Sequence, residues 1–311
     1  MSLPLVSIII PVYNQQSEYL RMSLESALNQ TYSNIEIIVS NNHSTNETQQ
    51  ILQEYSNDKL KIIMPEHHLS IIDHFTFSAS KAKGEYISFL SSDDLIYPEC
   101  IAKSIQPLLE NKHLSFSYCE SNIIDAHGKR ISIVRSSKLA TGIYDKTKIA
   151  KRMYNHSEYW IIGAVIRHEL YKKIGFTKNI IATDWIMGIQ LLKYGNVAYC
   201  NEILSAIRFH ERAGEAKEKY IEQHILHQKQ RIIKHNTVIN DQELLDAISI
   251  SKTQATNYLN EEISKAIIQT IREYHDGKIR KETAKEILEL YKEQSDSFNF
   301  RFLGCPSSID L

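Results

Sequence analysis

The sequence has no excess of charge of either sign, no long apolar run and few glycines in its last third. Lys and Arg total 36 against 37 Asp and Glu, which gives a formal net charge of −1. No global positive field therefore favours nucleic acid as a partner. No segment approaches the roughly 20 apolar residues of a membrane span. The apolar run from Leu5 to Val12 lacks a basic leader and contains Pro11, which argues against a signal peptide.

Cysteine is also scarce, and its spacing excludes two further classes. The chain has four cysteines with no C-x-x-C pair among them: Cys100, Cys119, Cys200 and Cys305. This spacing indicates neither a zinc site nor a disulfide framework. Buried, reduced thiols are typical of a cytosolic protein. We therefore expect a cytoplasmic chain, either free or peripheral at the inner face of the membrane.

The first third of the chain alternates strand and helix patterns. Apolar, β-branched runs of the kind buried in parallel sheets predict strands at Val6–Ile10, Ile35–Val39, Leu60–Met64 and 85–90. Helical spacing follows each of them. The predicted helix boundaries are Ser17 as an N-cap, a capping box at 44–47, Gly84 as a helix stop and a helix from Pro98 to Asn111. This alternation predicts an α/β fold with a mostly parallel central sheet and flanking helices.

The pattern changes twice further along the chain. Mixed strands and helices continue to about residue 212, with a turn predicted at 125–129, whereas glycine nearly disappears after Gly214. Apolar residues beyond that point recur at helical spacing. We therefore predict an α/β domain over 1–212, divided into halves at 1–112 and 113–212, and a helical region over 213–311. The helical region leaves three roles open: covering a site, forming a homodimer, or contacting a membrane.

The most informative segment ends in two adjacent carboxylates. The buried strand pattern Tyr86–Leu90 is followed after two serines by Asp93 and Asp94. Ligands collect at the carboxyl ends of strands in open α/β sheets, and such oxygens suit Mg²⁺ or Mn²⁺ held partly by substrate phosphates. The alternative is that the two acids cap the helix expected near Pro98.

Several ordered motifs resemble family 2 glycosyltransferases of the GT-A fold. They are Val6–Asn14, Ser26–Tyr32, Ile35–Val39 and Gly84–Asp94, and they cover roughly the first 110 residues. Asp184 before Trp185, and the Arg208-Phe209-His210 segment, extend the resemblance more weakly. The resemblance implies an inverting transfer of a sugar from a nucleotide-sugar donor, with a UDP-sugar expected, to a hydroxyl of a glycan or lipid-linked glycan. It also implies a setting in bacterial surface-polysaccharide synthesis.

The resemblance assigns roles to residues of this chain. It implies a divalent cation, Mn²⁺ or Mg²⁺, at Asp94, Asp93 and His210, and a general base at Asp184. The expected acceptor-binding aromatics are Tyr159 and Trp160. The residues implied to bind the nucleotide-sugar are Pro11, Tyr13, Asn14, Asn41, Ser92, Asp93 and Arg208. Structural alternatives stay open for four of these roles: helix N-cap for Asp184, packing for Tyr13, core packing for one of Tyr159 and Trp160, and simple hydrogen bonding for His210.

The chain departs from the family pattern at two strand ends. Asn41 and Asn42 stand where many relatives carry Asp, the first of which commonly reads the base, and Ser91 replaces a further acid. An Asn carbonyl still accepts a hydrogen bond, but its NH₂ group adds donors and no charge. Loose discrimination among bases is therefore expected. Two rival functions remain: an inactive sugar-nucleotide-binding protein and a nucleotidyltransferase, although the latter usually has a glycine-rich loop that is absent after Pro11.

Overall fold

The computed structural model describes residues 3–55, 57–134, 139–156, 161–178, 183–209, 232–277 and 279–298. The chain divides into two compact units. The first comprises Met1–Asn179 with Thr183–His210, and the second comprises Ile180–Ala182 with Glu211–Leu311. Each unit is described by itself below.

A ten-stranded mixed sheet forms the centre of the first unit. Its strand order is β3-β2-β1-β4-β9-β6-β10-β5, with β7 beside β6 and β8 beside β10. The pairs β2/β3, β1/β2, β1/β4 and β6/β10 are parallel. The strands are β1 (Val6–Val12), β2 (Ile35–Asn41), β3 (Leu60–Ile63), β4 (Tyr86–Phe89), β5 (Leu95–Ile96), β6 (Leu114–Ile124), β7 (Arg130–Val134), β8 (Gly142–Tyr144), β9 (Val165–Arg167) and β10 (Asn196–Arg208).

Helices connect these strands, as expected for crossover connections in a parallel sheet. A 3₁₀ turn at Leu192–Tyr194 follows the last of them. The helices are α1 (Ser17–Leu28), α2 (Thr48–Glu54), α3 (Ile71–Ser80), α4 (Cys100–Glu110), α5 (Lys146–His156), α6 (His168–Ile174) and α7 (Thr183–Leu191). The predicted α/β class with a mostly parallel sheet is therefore confirmed.

The core follows from the apolar runs of the central strands. All seven residues of β1 are buried, and β2 pairs with it in register from Val6↔Ile35 to Val12↔Asn41. One face of α1 covers this sheet with Leu20 and Leu24, both fully buried. Because β1, β2 and β4 are parallel, their carboxyl ends lie at one edge of the sheet, where a ligand would bind.

Three predicted helix boundaries are wrong. α1 has Gln16 rather than Ser17 as its N-cap, and α2 begins after Glu47 with no side-chain cap. The Ser44 hydroxyl instead accepts a hydrogen bond from the Asn14 main-chain N–H. Gly84 does not stop a helix, because α3 ends at Ser80 with Lys81 as its C-cap. A Cβ at Gly84 would lie 2.7 Å from the Ser7 nitrogen, so this glycine permits two segments of the backbone to approach closely.

The described part of the second unit is helical, which confirms the helices predicted for this region. Its helices are α8 (232–239), α9 (Gln242–Ala247), α10 (Lys252–His275) and α11 (Lys281–Phe298). Ser251 and Gln254 form a capping box at the start of α10. Within this unit α10 packs against α11, and both helices bury apolar side chains such as Leu259 and Ile287.

Candidate active site

The acid pair lies in a tight turn directly after β4. The Asp94 main-chain N–H donates to the Ser91 carbonyl at 3.1 Å, and the Ser23 hydroxyl from α1 donates to the same carbonyl at 3.1 Å. The short strand β5 follows the acids, and α4 begins only at Cys100. The acids therefore do not cap α4, and the structural alternative for them is wrong.

Asp94 is a buried carboxylate whose hydrogen bonds offset the effect of burial only in part. Its side chain is 5% exposed, and its Oδ1 accepts the main-chain N–H of Arg208 at 2.8 Å. Burial raises the pKa of Asp94 to about 7, and the charge of half-buried Asp93 adds to the rise, whereas the Arg208 N–H opposes it. A carboxyl group in this state gains from a nearby cation, because the cation would offset both causes.

Arg208 binds the turn that carries Asp93 and Asp94 and connects it to neighbouring elements. Its Nε donates to the Asp93 carbonyl at 2.9 Å, and Nη1 donates to the carbonyls of Asp125 and Ala126 at 3.0 and 3.2 Å. The guanidinium also lies over the Tyr19 ring, 4.3 Å from its centroid. The side chain thus joins α1, the acid turn and the β6–β7 turn. Direct contact between Arg208 and a nucleotide stays a prediction.

The β6–β7 turn itself has the predicted form. The Asp125 N–H donates to the Lys129 carbonyl at 2.9 Å, and Gly128 adopts a φ of 79°. The Asp125 carboxylate accepts the main-chain N–H groups of His127 and Lys129, which lowers its pKa. This turn is therefore well ordered where its carbonyls meet Arg208.

The ends of β1 and β2 are joined by amide side chains. Asn14 has a φ of 45°, and its Oδ1 accepts the Thr45 N–H at 2.7 Å. Asn41 is fully buried: its Oδ1 accepts the Ser44 N–H at 3.0 Å and its Nδ2 donates to Gln49 Oε1 at 2.8 Å. The amide predicted to read the base is therefore already engaged within its own loop.

An open aromatic surface lies beside these amides. Tyr13 is 51% exposed, and its ring centroid is 4.7 Å from that of His68 at an interplanar angle of 56°. Pro11 is buried within β1, whereas Tyr13, which directly follows β1, is exposed. The exposure of Tyr13 excludes the alternative that it is a core-packing residue. Its contact with a base stays a prediction.

Two residues of this region were missed by sequence reasoning. Gln15 Nε2 donates to the hydroxyl of buried Ser92 at 3.0 Å and so joins the loop after β1 to the acid turn. His68 contacts Tyr13 from the loop between β3 and α3. No local motif marks either residue, because their partners lie 77 and 55 positions away in the chain.

Asp184 lies in the first turn of α7, which begins at Thr183. It is therefore a helix residue rather than the N-cap. The Thr183 hydroxyl accepts the Thr177 N–H at 2.8 Å, and Trp185 Nε1 donates to the Met153 carbonyl at 3.2 Å. These bonds fix the start of α7 on both sides of the half-buried Asp184. Its role as a base stays a prediction. Tyr159, Trp160 and His210 lie outside the described residues.

The residues at the acid turn fit a hard divalent cation. Asp93 and Asp94 offer carboxylate oxygens, and Mg²⁺ or Mn²⁺ sites of this kind are completed by substrate phosphates and water. Within the described ranges no cluster of three or more His, Cys, Asp or Glu side chains could hold a metal. The two acids fit a cation whose remaining ligands would include a bound diphosphate and water.

This combination of an α/β sheet and an acidic strand end matches a known family. The family model for glycosyl transferase family 2 matches residues 7–175, which is more than half of the chain. The chain therefore belongs to glycosyl transferase family 2.

Two of the curated relatives are named as glycosyltransferases, and a third is a synthase. An uncharacterized glycosyltransferase of Rickettsia typhi is 36% identical over 214 residues, which cover 67% of this chain and 65% of the relative. A second, from Rickettsia prowazekii, is 34% identical and is covered to 64%. Chondroitin synthase of Pasteurella multocida is 29% identical over 208 residues, only 20% of its length. The chain thus spans less than two thirds of the length of these relatives.

Solved structures show the same fold at low sequence identity. S. aureus TarS has a TM-score of 0.59 at 20% identity, covering 84% of this chain and 44% of that one. A shorter TarS chain in complex with UDP-GlcNAc has a TM-score of 0.57 at 18% identity, covering 95% and 92%. A mannosyltransferase from Pyrobaculum calidifontis, in complex with GDP-Man and Mn²⁺, scores 0.56 at 14% identity, covering 95% and 88%. The predicted GT-A fold is therefore confirmed.

Crossing a bilayer requires a helix that is both long and apolar. Over the residues that the structure describes, no helix meets both conditions.

Proposed function

We propose that this chain transfers a sugar from a nucleoside-diphosphate donor to a hydroxyl of a glycan or lipid-linked glycan, with inversion and with a divalent cation. The observation that carries the proposal is the buried Asp94 beside Asp93 at the carboxyl end of β4. A cation there would offset the burial and the Asp93 charge that raise the pKa of Asp94, and a departing diphosphate gains from the same positive charge. The complexes of the fold's neighbours with UDP-GlcNAc and with GDP-Man and Mn²⁺ support this class of donor.

The roles of the residues follow from this placement. Asp93 and Asp94 would hold Mn²⁺ or Mg²⁺, which neutralises the charge that develops on the leaving diphosphate. Arg208 keeps the Asp93 main chain and the Asp94 carboxylate in place. Tyr13 offers an exposed ring for the base, and Asn14 orders the loop on which Tyr13 lies.

Asp184 is the proposed general base. The acceptor oxygen forms a bond to the anomeric carbon from the face opposite the diphosphate, and the bond between that carbon and the diphosphate oxygen breaks. The acceptor proton passes to the Asp184 carboxylate. Inversion follows from a single displacement. We place the reaction in surface-polysaccharide or glycoconjugate synthesis, with a UDP-sugar as the first donor to test.

A donor panel tests the proposed function. The full chain is mixed with UDP- and GDP-sugars, with and without Mn²⁺, and its thermal unfolding and the release of nucleoside diphosphate are measured. A donor should raise the Tm only with Mn²⁺, because a ligand that binds only the folded state stabilises it. Undiminished turnover in excess EDTA would contradict the metal role. Binding without any turnover would instead favour the inactive binding protein.

Asp184→Asn tests the base with the fold intact. The variant should keep the donor-induced shift in Tm and lose turnover by about 10²- to 10⁴-fold, the usual contribution of a general base. Calorimetry gives the donor affinity, and a rapid-quench experiment gives the single-turnover rate. A lost affinity combined with a preserved single-turnover rate would show that Asp184 is not the base.

A further inference from the structure

We propose that His68 supplies the hydrogen-bond acceptor that reads the base of the donor, in place of residue 41, and thereby selects bases that carry a ring N–H. The proposal rests on the proposed function, because it concerns the same donor site. It assigns a specificity role to a residue in the loop between β3 and α3.

The first observation is the hydrogen-bonding state of the His68 ring. Its Nδ1 lies 3.1 Å from the main-chain oxygen of Asn42. A carbonyl oxygen can only accept, so Nδ1 carries the proton in this contact. In the neutral ring the second nitrogen, Nε2, is then an acceptor. The Asn42 carbonyl thus fixes the tautomer and leaves an acceptor on an exposed side chain.

The second observation is that the amides of the β2 end are already engaged. Asn41 is fully buried and is bonded to Ser44 and Gln49. Asn42 is 3% exposed, and its amide donates to and accepts from the main chain of Leu69, both at 2.9 Å. Neither side chain presents its carbonyl to the surface on which Tyr13 lies.

The third observation is that the loop carrying His68 is held in place before any ligand arrives. The ring of His43 contacts the Pro65 carbonyl through Nε2 at 2.9 Å, and Asn42 fixes Leu69 on the other side of His68. The His68 ring also lies against Tyr13, 4.7 Å between centroids. A base stacked on Tyr13 would therefore meet a His68 ring that is already positioned, with little ordering cost on binding.

The chemistry of Nε2 defines the class of donor. Uracil and guanine carry a ring N–H at the edge that pairs with another base, whereas cytosine and adenine carry an unprotonated nitrogen there. An acceptor on the protein bonds the first pair and faces a second acceptor in the other pair. The inference therefore favours uridine or guanosine diphosphates over cytidine and adenosine diphosphates. It replaces the expectation of loose discrimination that followed from Asn41 alone.

The test measures the affinities of the full chain for UDP, GDP, CDP and ADP by calorimetry with Mn²⁺. We expect UDP or GDP to bind about tenfold more tightly than CDP and ADP, and the tighter of the two to lose about tenfold when its ring nitrogen is methylated, as for one hydrogen bond of about 1.4 kcal/mol. In His68→Phe the methylated and unmethylated forms should bind alike. His67→Phe, which changes the adjacent exposed histidine, should keep the wild-type ratio.

Each outcome decides between specific alternatives. Equal binding of all four nucleotides by the wild type, or an unchanged methylation ratio in His68→Phe, would overturn the role of His68 while leaving the proposed function standing. A loss of affinity in His68→Phe that is the same for both forms would show a stacking role only. Failure of all four nucleoside diphosphates to bind would overturn both proposals.

Discussion

Two strand ends of this sheet each present a doublet of similar size and opposite chemistry. Asn41 ends β2 and Asn42 follows it, and the turn after β4 carries Asp93 and Asp94. An amide has both donors and acceptors, so the two asparagines can bond to the Ser44 and Leu69 N–H groups and to the Gln49 side chain. A carboxylate only accepts, so the aspartates need donors or a cation from elsewhere. The first doublet bonds to neighbouring parts of the chain, whereas the second offers carboxylate oxygens of the kind that bind a cation.

Asp94→Asn would make the two strand ends alike and should have the largest effect. The amide Oδ1 can still accept the Arg208 N–H, so the turn is kept, but the charge that holds the cation is lost. We expect turnover to fall by about 10³-fold, in keeping with the several kcal/mol that a catalytic metal supplies. The Mn²⁺-dependent rise in Tm should disappear.

The metal-free stability of Asp94→Asn provides a second measurement. Removing a buried, poorly compensated charge should raise the free energy of unfolding by about 1–3 kcal/mol. Urea unfolding in EDTA at neutral pH checks this. A variant that keeps the wild-type response to Mn²⁺ would show that Asp94 is not the cation ligand.

Asn41→Asp is the converse change. It places a carboxylate at a fully buried position where the present amide donates to Gln49. The Gln49 amide can turn over and donate instead, so the cost comes mainly from burying a charge. We expect a loss of about 1–3 kcal/mol in the free energy of unfolding. The rise in Tm with Mn²⁺ should be unchanged. A variant as stable as the wild type at pH 7.5 would show that residue 41 does not require a buried, uncharged amide.

The smallest expected effect concerns His74, a buried histidine that contacts Ser40 of β2. His74 Nε2 lies 2.9 Å from the Ser40 hydroxyl, and burial lowers the pKa of His74 to about 4. The unfolded chain therefore binds more protons than the folded chain between about pH 6.5 and pH 4, and stability falls as the pH is lowered through this range.

Urea unfolding at pH 7 and at pH 4.5 measures this dependence. His74→Gln should show a smaller decrease than the wild type, because it removes the group that takes up the proton. Equal decreases in both proteins would assign the acid sensitivity to other groups.

Most of the first half of the fold could be predicted from the sequence for one physical reason. Strands such as β1 and β2 are buried on both faces, so they appear as continuous β-branched runs that need no knowledge of their neighbours. The family motifs lie on the same runs. The long strands β6 and β10 are different, because they bury polar residues. The hydroxyl oxygens of Ser121 and Ser205 lie 2.6 Å apart, and the Ser205 hydroxyl also donates to the Ile162 carbonyl at 3.3 Å. No pattern along the chain predicts these contacts.

The candidate site divides in the same way. Asp93 and Asp94 could be found because two acids after an apolar run form a local signal. The Arg208 side chain contacts residues as distant in the sequence as Met22 and Ala126. The tautomer of His68 depends on a carbonyl 26 positions away. Contacts of this kind are set by the topology of the sheet. Sequence reasoning therefore named several ends of these interactions but not the bonds between them.

The hydrogen bond from Gln15 to Ser92 has a consequence for how the nucleotide-sugar is bound. It ties the loop that carries Tyr13 to the turn that carries Asp93, so the two loops keep a fixed separation. Under the proposed function, the base is bound at one loop and the charged linker at the other. One side-chain hydrogen bond thereby connects the loop proposed to bind the nucleoside with the turn proposed to bind the diphosphate, so a change at Gln15 would reach both parts of the donor site.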